Sequence, residues 1–128
     1  MTTITVEWHR LVDEKGETCD RCNKTYLNLE RVIDVLKPAF KNFGIVLEFE
    51  KRSISMEEFN KNPLLSNQIL VDGKPIEEVL SLKVGKSPCC GPCGDNECRT
   101  IIDDNSEKEE VEVRYILNAL LKTIANKL

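Results

Sequence analysis

The chain has 128 residues, a net charge of −4 and a pI near 5.1, with 41% hydrophobic but only 5% aromatic residues. That length supports one packed domain over 1–128, with a core built from Leu, Ile and Val. The acidic balance, without a Lys/Arg run, argues against nucleic-acid and membrane-surface partners, and no stretch approaches the length of a membrane span.

The opening Met1-Thr2-Thr3-Ile4-Thr5-Val6-Glu7 lacks the charged start and apolar run of a signal peptide, so a cytoplasmic location is expected. Residues 4–12 alternate Ile4, Val6 and Trp8 with Thr5, Glu7 and His9, which predicts a strand. A polar loop follows at 13–18. A long helix is predicted from Cys22 or Thr25 to Phe43, because Leu29, Val32, Ile33, Leu36, Phe40 and Phe43 recur at helical spacing. Pro38 should kink this helix and Gly44 should end it.

A second strand is predicted at 45–51. Ser55 and Glu58 have capping-box spacing for a short helix that Pro63 ends. Gln68 to Val71 read as a third strand closed by the Asp72-Gly73 turn signal. Pro75 suits the first turn of another helix, with Ile76, Val79 and Leu80 on one face. Residues 83–98 read as a Gly/Pro/Ser/Cys-rich loop. Arg99 to Asp103 read as a fourth strand, Asn105-Ser106 as a turn, and Val111 with Val113 as a short fifth strand. The last helix places Ile116, Leu117, Leu120, Leu121 and Ile124 on one face. The order is that of an α/β protein with a parallel crossover.

Six cysteines dominate the chemistry. In a reducing compartment such a set points to metal binding or redox work rather than structural staples. Cys19 and Cys22 fall between a strand and a helix start. Free backbone N–H groups there favour a thiolate, which attacks disulfides and binds soft metals. A spacing of three puts both sulfurs on one side of the first turn. Cys19, nearer the helix start, is the expected nucleophile and Cys22 the resolving thiol. Two buried small apolar residues are the plainer alternative.

This arrangement resembles the thioredoxin superfamily, whose redox pair follows the first strand and opens the first helix. More narrowly, the chain is similar to an uncharacterised family of small cysteine-rich thioredoxin-like proteins classed as a domain of unknown function. The residues carrying that likeness are Glu17-Thr18-Cys19-Asp20-Arg21-Cys22, the run Ser66 to Glu78, and the stretch from Cys89-Cys90 to Cys98-Arg99-Thr100. The resemblance implies a thioredoxin-like three-layer fold. A central mixed sheet of four to five strands would be flanked by helices, with the cysteine loop as an insertion. Thioredoxins carry a cis-proline before the third strand. Here that region reads Leu65-Ser66-Asn67-Gln68, which leaves metal binding open.

The remaining cysteines, Cys89, Cys90, Cys93 and Cys98, fall in the predicted loop. Cys90-Gly91-Pro92-Cys93 matches the thioredoxin tetrapeptide by letter, but no predicted strand precedes it and no helix follows. Gly-Pro between two cysteines is also an ordinary thiolate-presenting turn. These four thiols are candidate metal ligands, for zinc or another thiophilic ion. Alternatively Cys19 and Cys22 share the metal with two of them, if the third strand runs antiparallel to the first and returns the loop to that end.

His9 offers a ligand or proton shuttle only in principle and reads as framework. The carboxylates at 107, 109, 110 and 112 read as a solvated face. Arg99 reads as a strand-edge residue that can acidify a neighbouring thiol. Two functions follow. One is a thiol–disulfide oxidoreductase that needs no cofactor and acts on a protein or small-molecule thiol or disulfide. The other is a non-catalytic soft-metal binder.

Overall fold

A computed structural model describes residues 2–11, 20–88, 97–104 and 106–128. Strand β1 (Thr2–Leu11) leads to helix α1 (Asp20–Lys41), and the chain returns as β2 (Ile45–Ile54), parallel to β1 with Thr2 opposite Ile45. α1 runs through Pro38. It ends in a tight turn in which Gly44 adopts φ +76°, a conformation that favours glycine.

Helix α2 (Met56–Lys61) has the predicted capping box. Ser55 Oγ accepts from the Glu58 N–H, and the Glu58 carboxylate accepts from the Ser55 N–H. A 3-10 turn (Pro63–Leu65) follows. Strand β3 (Gln68–Val71) then pairs antiparallel to β1, with His9 opposite Gln68, and β4 (Lys74–Pro75) folds back beside it. Asp72 and Gly73 both have positive φ in this hairpin turn, as the sequence predicts. The result is an α/β structure with a four-stranded mixed sheet in the order β2-β1-β3-β4.

Side-chain alternation sorts this sheet into two unlike faces. Ile4, Val6, Trp8, Ile45, Leu47, Ile69 and Val71 are buried on one. Over it lie α1 and the last helix, α4 (Val113–Lys127), packed side by side. The stack of Trp8 on Tyr26, 5.2 Å between ring centres, joins β1 to α1. Thr3, Thr5, Glu7, His9, Glu48 and Glu50 point the other way and are half-buried or exposed. The two long helices therefore share this apolar face of the sheet.

After α3 (Ile76–Val79) come β5 (Lys83–Pro88), β6 (Glu97–Asp103) and β7 (Ser106–Lys108). They form a second, antiparallel, three-stranded sheet, so the predicted fourth strand extends a separate sheet and not the central one. Residues 83–88, expected as loop, are an edge strand. Its Gly and Pro weaken the sequence signal but suit the place. A Cβ at Gly85 would lie 2.7 Å from Thr100 Oγ1 and 2.9 Å from Ile102 Cδ1, and Pro88 is tolerated at an edge. The rest of the expected loop, residues 89–96, lies outside the described residues.

Val111 and Val113 do not form a strand. The Val111 N–H donates to Thr25 Oγ1 at 2.9 Å, and its carbonyl accepts from Asn28 Nδ2 at 2.9 Å, while Val113 begins α4. Of the expected Asn105-Ser106 turn, Asn105 lies outside the described residues, and Ser106, paired with Asp103, opens β7. Leu121 is 47% and Phe43 79% exposed, each at the margin of its helical stripe. Among the described residues no helix is long and apolar enough to cross a membrane.

Tyr115 ties α4 to β6, its hydroxyl donating to Asp103 Oδ2 at 2.9 Å. Burial first, and the Asp103 carboxylate second, raise this phenol above the ordinary value of 10.0. The folded chain thus holds the proton more tightly than the unfolded chain does. The resulting stability is full below pH 10.0 and is lost as pH rises through the folded value. Tyr115→Phe is expected to flatten the alkaline loss of stability, measured by urea unfolding between about pH 9 and 11.

Candidate functional site

Cys22 is the third residue of α1, and its side chain is 0% exposed among the core apolar residues. Helical register turns it inward with Leu29, Val32 and Ile33, which explains why its flanking Asn23 and Lys24 are exposed. Its sulfur lies 3.6 Å from Ser66 Oγ. Ser66 is itself 0% exposed, and its Oγ accepts from the Leu11 N–H at 3.1 Å. Three separate segments therefore meet here: the end of β1, the first turn of α1, and the residues just before β3. The antiparallel β1–β3 pairing, which the resemblance to thioredoxins implies, is what brings the start of β3 to this end.

The segment that carries Ser66 is held on both sides. Asn67 adopts φ +63°, a left-handed conformation that Asn tolerates well, and its Oδ1 accepts from Trp8 Nε1 at 3.2 Å. On the other side, Arg99 Nε donates to the Leu64 carbonyl at 2.7 Å. The Arg99 guanidinium also makes an ion pair with Glu77, both side chains being about nine-tenths buried. Arg99 is thus a buried anchor and not the strand-edge residue expected. No peptide bond among the described residues is cis, so the turn into β3 is made by Asn67 instead.

The sequence-predicted residues divide as follows. Cys22 lies in this buried cluster. Cys19 lies outside the described residues, immediately before the first residue of α1. Cys89, Cys90 and Cys93 also lie outside them, while Cys98 contributes its backbone to β6 opposite Ser87. Arg99 next to Cys98 reaches Leu64, two residues from Ser66. The base of the cysteine hairpin is therefore fastened to the segment that touches Cys22. Among the described residues no group of three or more His, Cys, Asp or Glu side chains converges. His9 places its Nε2 3.1 Å from Glu7 Oε2.

Sequence reasoning missed Ser66, Asn67, Glu77 and Arg10. Arg10, near the end of β1, lays its guanidinium 5.2 Å from the Trp8 ring centre, and its Nη1 is buried with no hydrogen-bond partner among the described residues. Ser66, Asn67 and Glu77 have no local pattern that marks them, because their partners lie 22 to 59 positions away in the chain.

A family model described as a domain of unknown function (DUF2703) matches residues 4–120. A protein of Archaeoglobus fulgidus, named as an uncharacterized protein, is 34% identical over 114 residues, covering 88% of this chain and 82% of its own. No solved structure gives a significant match.

The buried pair makes a direct prediction. Glu77→Gln leaves the Arg99 charge without its counter-ion and is expected to lower stability by about 3–5 kcal/mol in urea unfolding. Glu57→Gln, which removes the exposed pair with Lys61, is expected to change it by less than about 1 kcal/mol.

Proposed function

This chain belongs to the family described as a domain of unknown function (DUF2703), and we propose that it is a thioredoxin-like, redox-active dithiol protein working through Cys19 and Cys22. The observation that carries the reading is Cys22. Its sulfur is fully buried in the first turn of a helix that follows the first strand of a mixed sheet, beside a hydroxyl 3.6 Å away. A protected second thiol one turn behind a thiol at the helix start suits a resolving cysteine. The β1–α1–β2 parallel unit, with β3 antiparallel to β1, supports the thioredoxin-like assignment. A reducing, cytoplasmic setting fits such a pair.

In this reading the Cys19 thiolate attacks one sulfur of a substrate disulfide and expels the other as a thiolate. The Cys22 thiolate then attacks the Cys19 sulfur and expels the second substrate thiolate. The substrate gains two electrons, the protein ends as a Cys19–Cys22 disulfide, and an external thiol reductant restores it. The substrate is a protein or small-molecule disulfide. No nucleic acid or membrane is required.

A second reading keeps its place because Arg99 fastens the base of the cysteine hairpin to Leu64, close to Ser66. Cys19 and Cys22 with two of Cys89, Cys90, Cys93 and Cys98, or those four alone, would supply the four thiolates that zinc takes.

Cys19→Ser is expected to abolish disulfide reduction, and Cys22→Ser to stop each molecule at a mixed disulfide on Cys19. Both are read by mass spectrometry and turnover with a small aromatic disulfide. Elemental analysis of anaerobically purified protein separates the readings. About one zinc per chain with four thiols protected would favour the metal site.

A further inference from the structure

A buried sulfur that must carry charge needs a donor, because water cannot reach it. Cys22 is 0% exposed, so the thiolate it becomes when it resolves a mixed disulfide has to be met from within the fold. Ser66 is placed to do this. A serine hydroxyl has one proton and two acceptor positions. The Leu11 N–H points into Ser66 Oγ at 3.1 Å, which occupies one acceptor position and aims the hydroxyl proton elsewhere. The Cys22 sulfur lies 3.6 Å from the same oxygen.

We propose that Ser66 is a positioning residue for the dithiol exchange, its hydroxyl donating to the Cys22 sulfur as that sulfur becomes the attacking thiolate. The inference rests on the dithiol reading above. The same hydroxyl serves both protonation states. It accepts from the Cys22 S–H before the step and donates to the thiolate once the first expelled substrate thiolate has taken the proton. Its aim is fixed by neighbours. Asn67 is locked to Trp8 on one side of Ser66, and Leu64 to Arg99 on the other. The buried Arg99–Glu77 pair thereby supports the geometry at Cys22 from the second sheet.

The test follows the full chain reacting with 5,5′-dithiobis(2-nitrobenzoate), quenched in acid at intervals and mapped by peptide mass. Formation of the Cys19 adduct and its conversion to the Cys19–Cys22 disulfide are timed separately. Ser66→Ala is expected to lengthen the adduct's lifetime roughly 10-fold, the scale of a hydrogen bond to a charged group, and to leave adduct formation within about twofold. The pH midpoint of the resolving step should rise by about one unit. Ser66→Thr, which keeps the hydroxyl, should resolve at close to the wild-type rate. Ser66→Val, of the same size without it, should behave like Ser66→Ala. This Thr–Val pair isolates the hydroxyl if the alanine variant folds poorly. Unchanged lifetimes and pH midpoints in the Val and Ala variants, or a Thr variant as slow as Val, would overturn the role of Ser66 alone. A wild-type Cys19 adduct that never converts to the Cys19–Cys22 disulfide would remove the dithiol reading and this role with it.

Discussion

The ion pair between Arg99 and Glu77 is the constraint on which the arrangement of the two sheets depends. Glu77 stands in the short helix α3 that follows the central sheet, and Arg99 stands in the middle strand of the second sheet. Two charges taken out of water are tolerable only when each meets the other and their remaining donors find acceptors. Arg99 satisfies this through the Leu64 carbonyl, which lies in the 3-10 turn before β3. A single guanidinium thus joins the second sheet, α3 and the segment leading to Ser66. The pair confers position more than net stability, because each charge has been desolvated to form it.

The proposed dithiol site sits where this constraint ends. Ser66, Asn67 and the last residues of β1 close over the first turn of α1, and Cys22 is sealed among apolar side chains there. A sulfur in such a place is shielded from external reagents and reaches only what lies beside it. That restriction fits a thiol whose partner is a neighbour in its own chain. The polar face of the sheet, bearing Glu7, His9, Glu48 and Glu50, carries no comparable cluster of buried groups among the described residues.

Much of the architecture was legible from local signals. The capping box at Ser55 and Glu58, the Asp72-Gly73 turn, the β1–β3 strands and the helix stop at Gly44 each depend on residues a few positions apart. The errors have a common cause. Lys83–Pro88 was read as loop because Gly85 and Pro88 lower strand propensity, yet cross-strand pairing with β6 and the space under Thr100 decide the matter. Val111 and Val113 alternate like a strand, but the Val111 backbone is taken up by Thr25 and Asn28 of α1.

The sequence by itself determined the α/β class and the placing of Cys19 and Cys22 between the first strand and the first helix. Periodicity, capping and spacing act over a few residues and are written in the order of the chain. Only the tertiary structure decided that Ser66 faces Cys22, that Asn67 takes the indole N–H of Trp8, and that Arg99 is a buried anchor. Those contacts join residues 22 to 59 positions apart. They exist because a desolvated polar group must find its partner wherever the fold brings one, and no local pattern records where that will be.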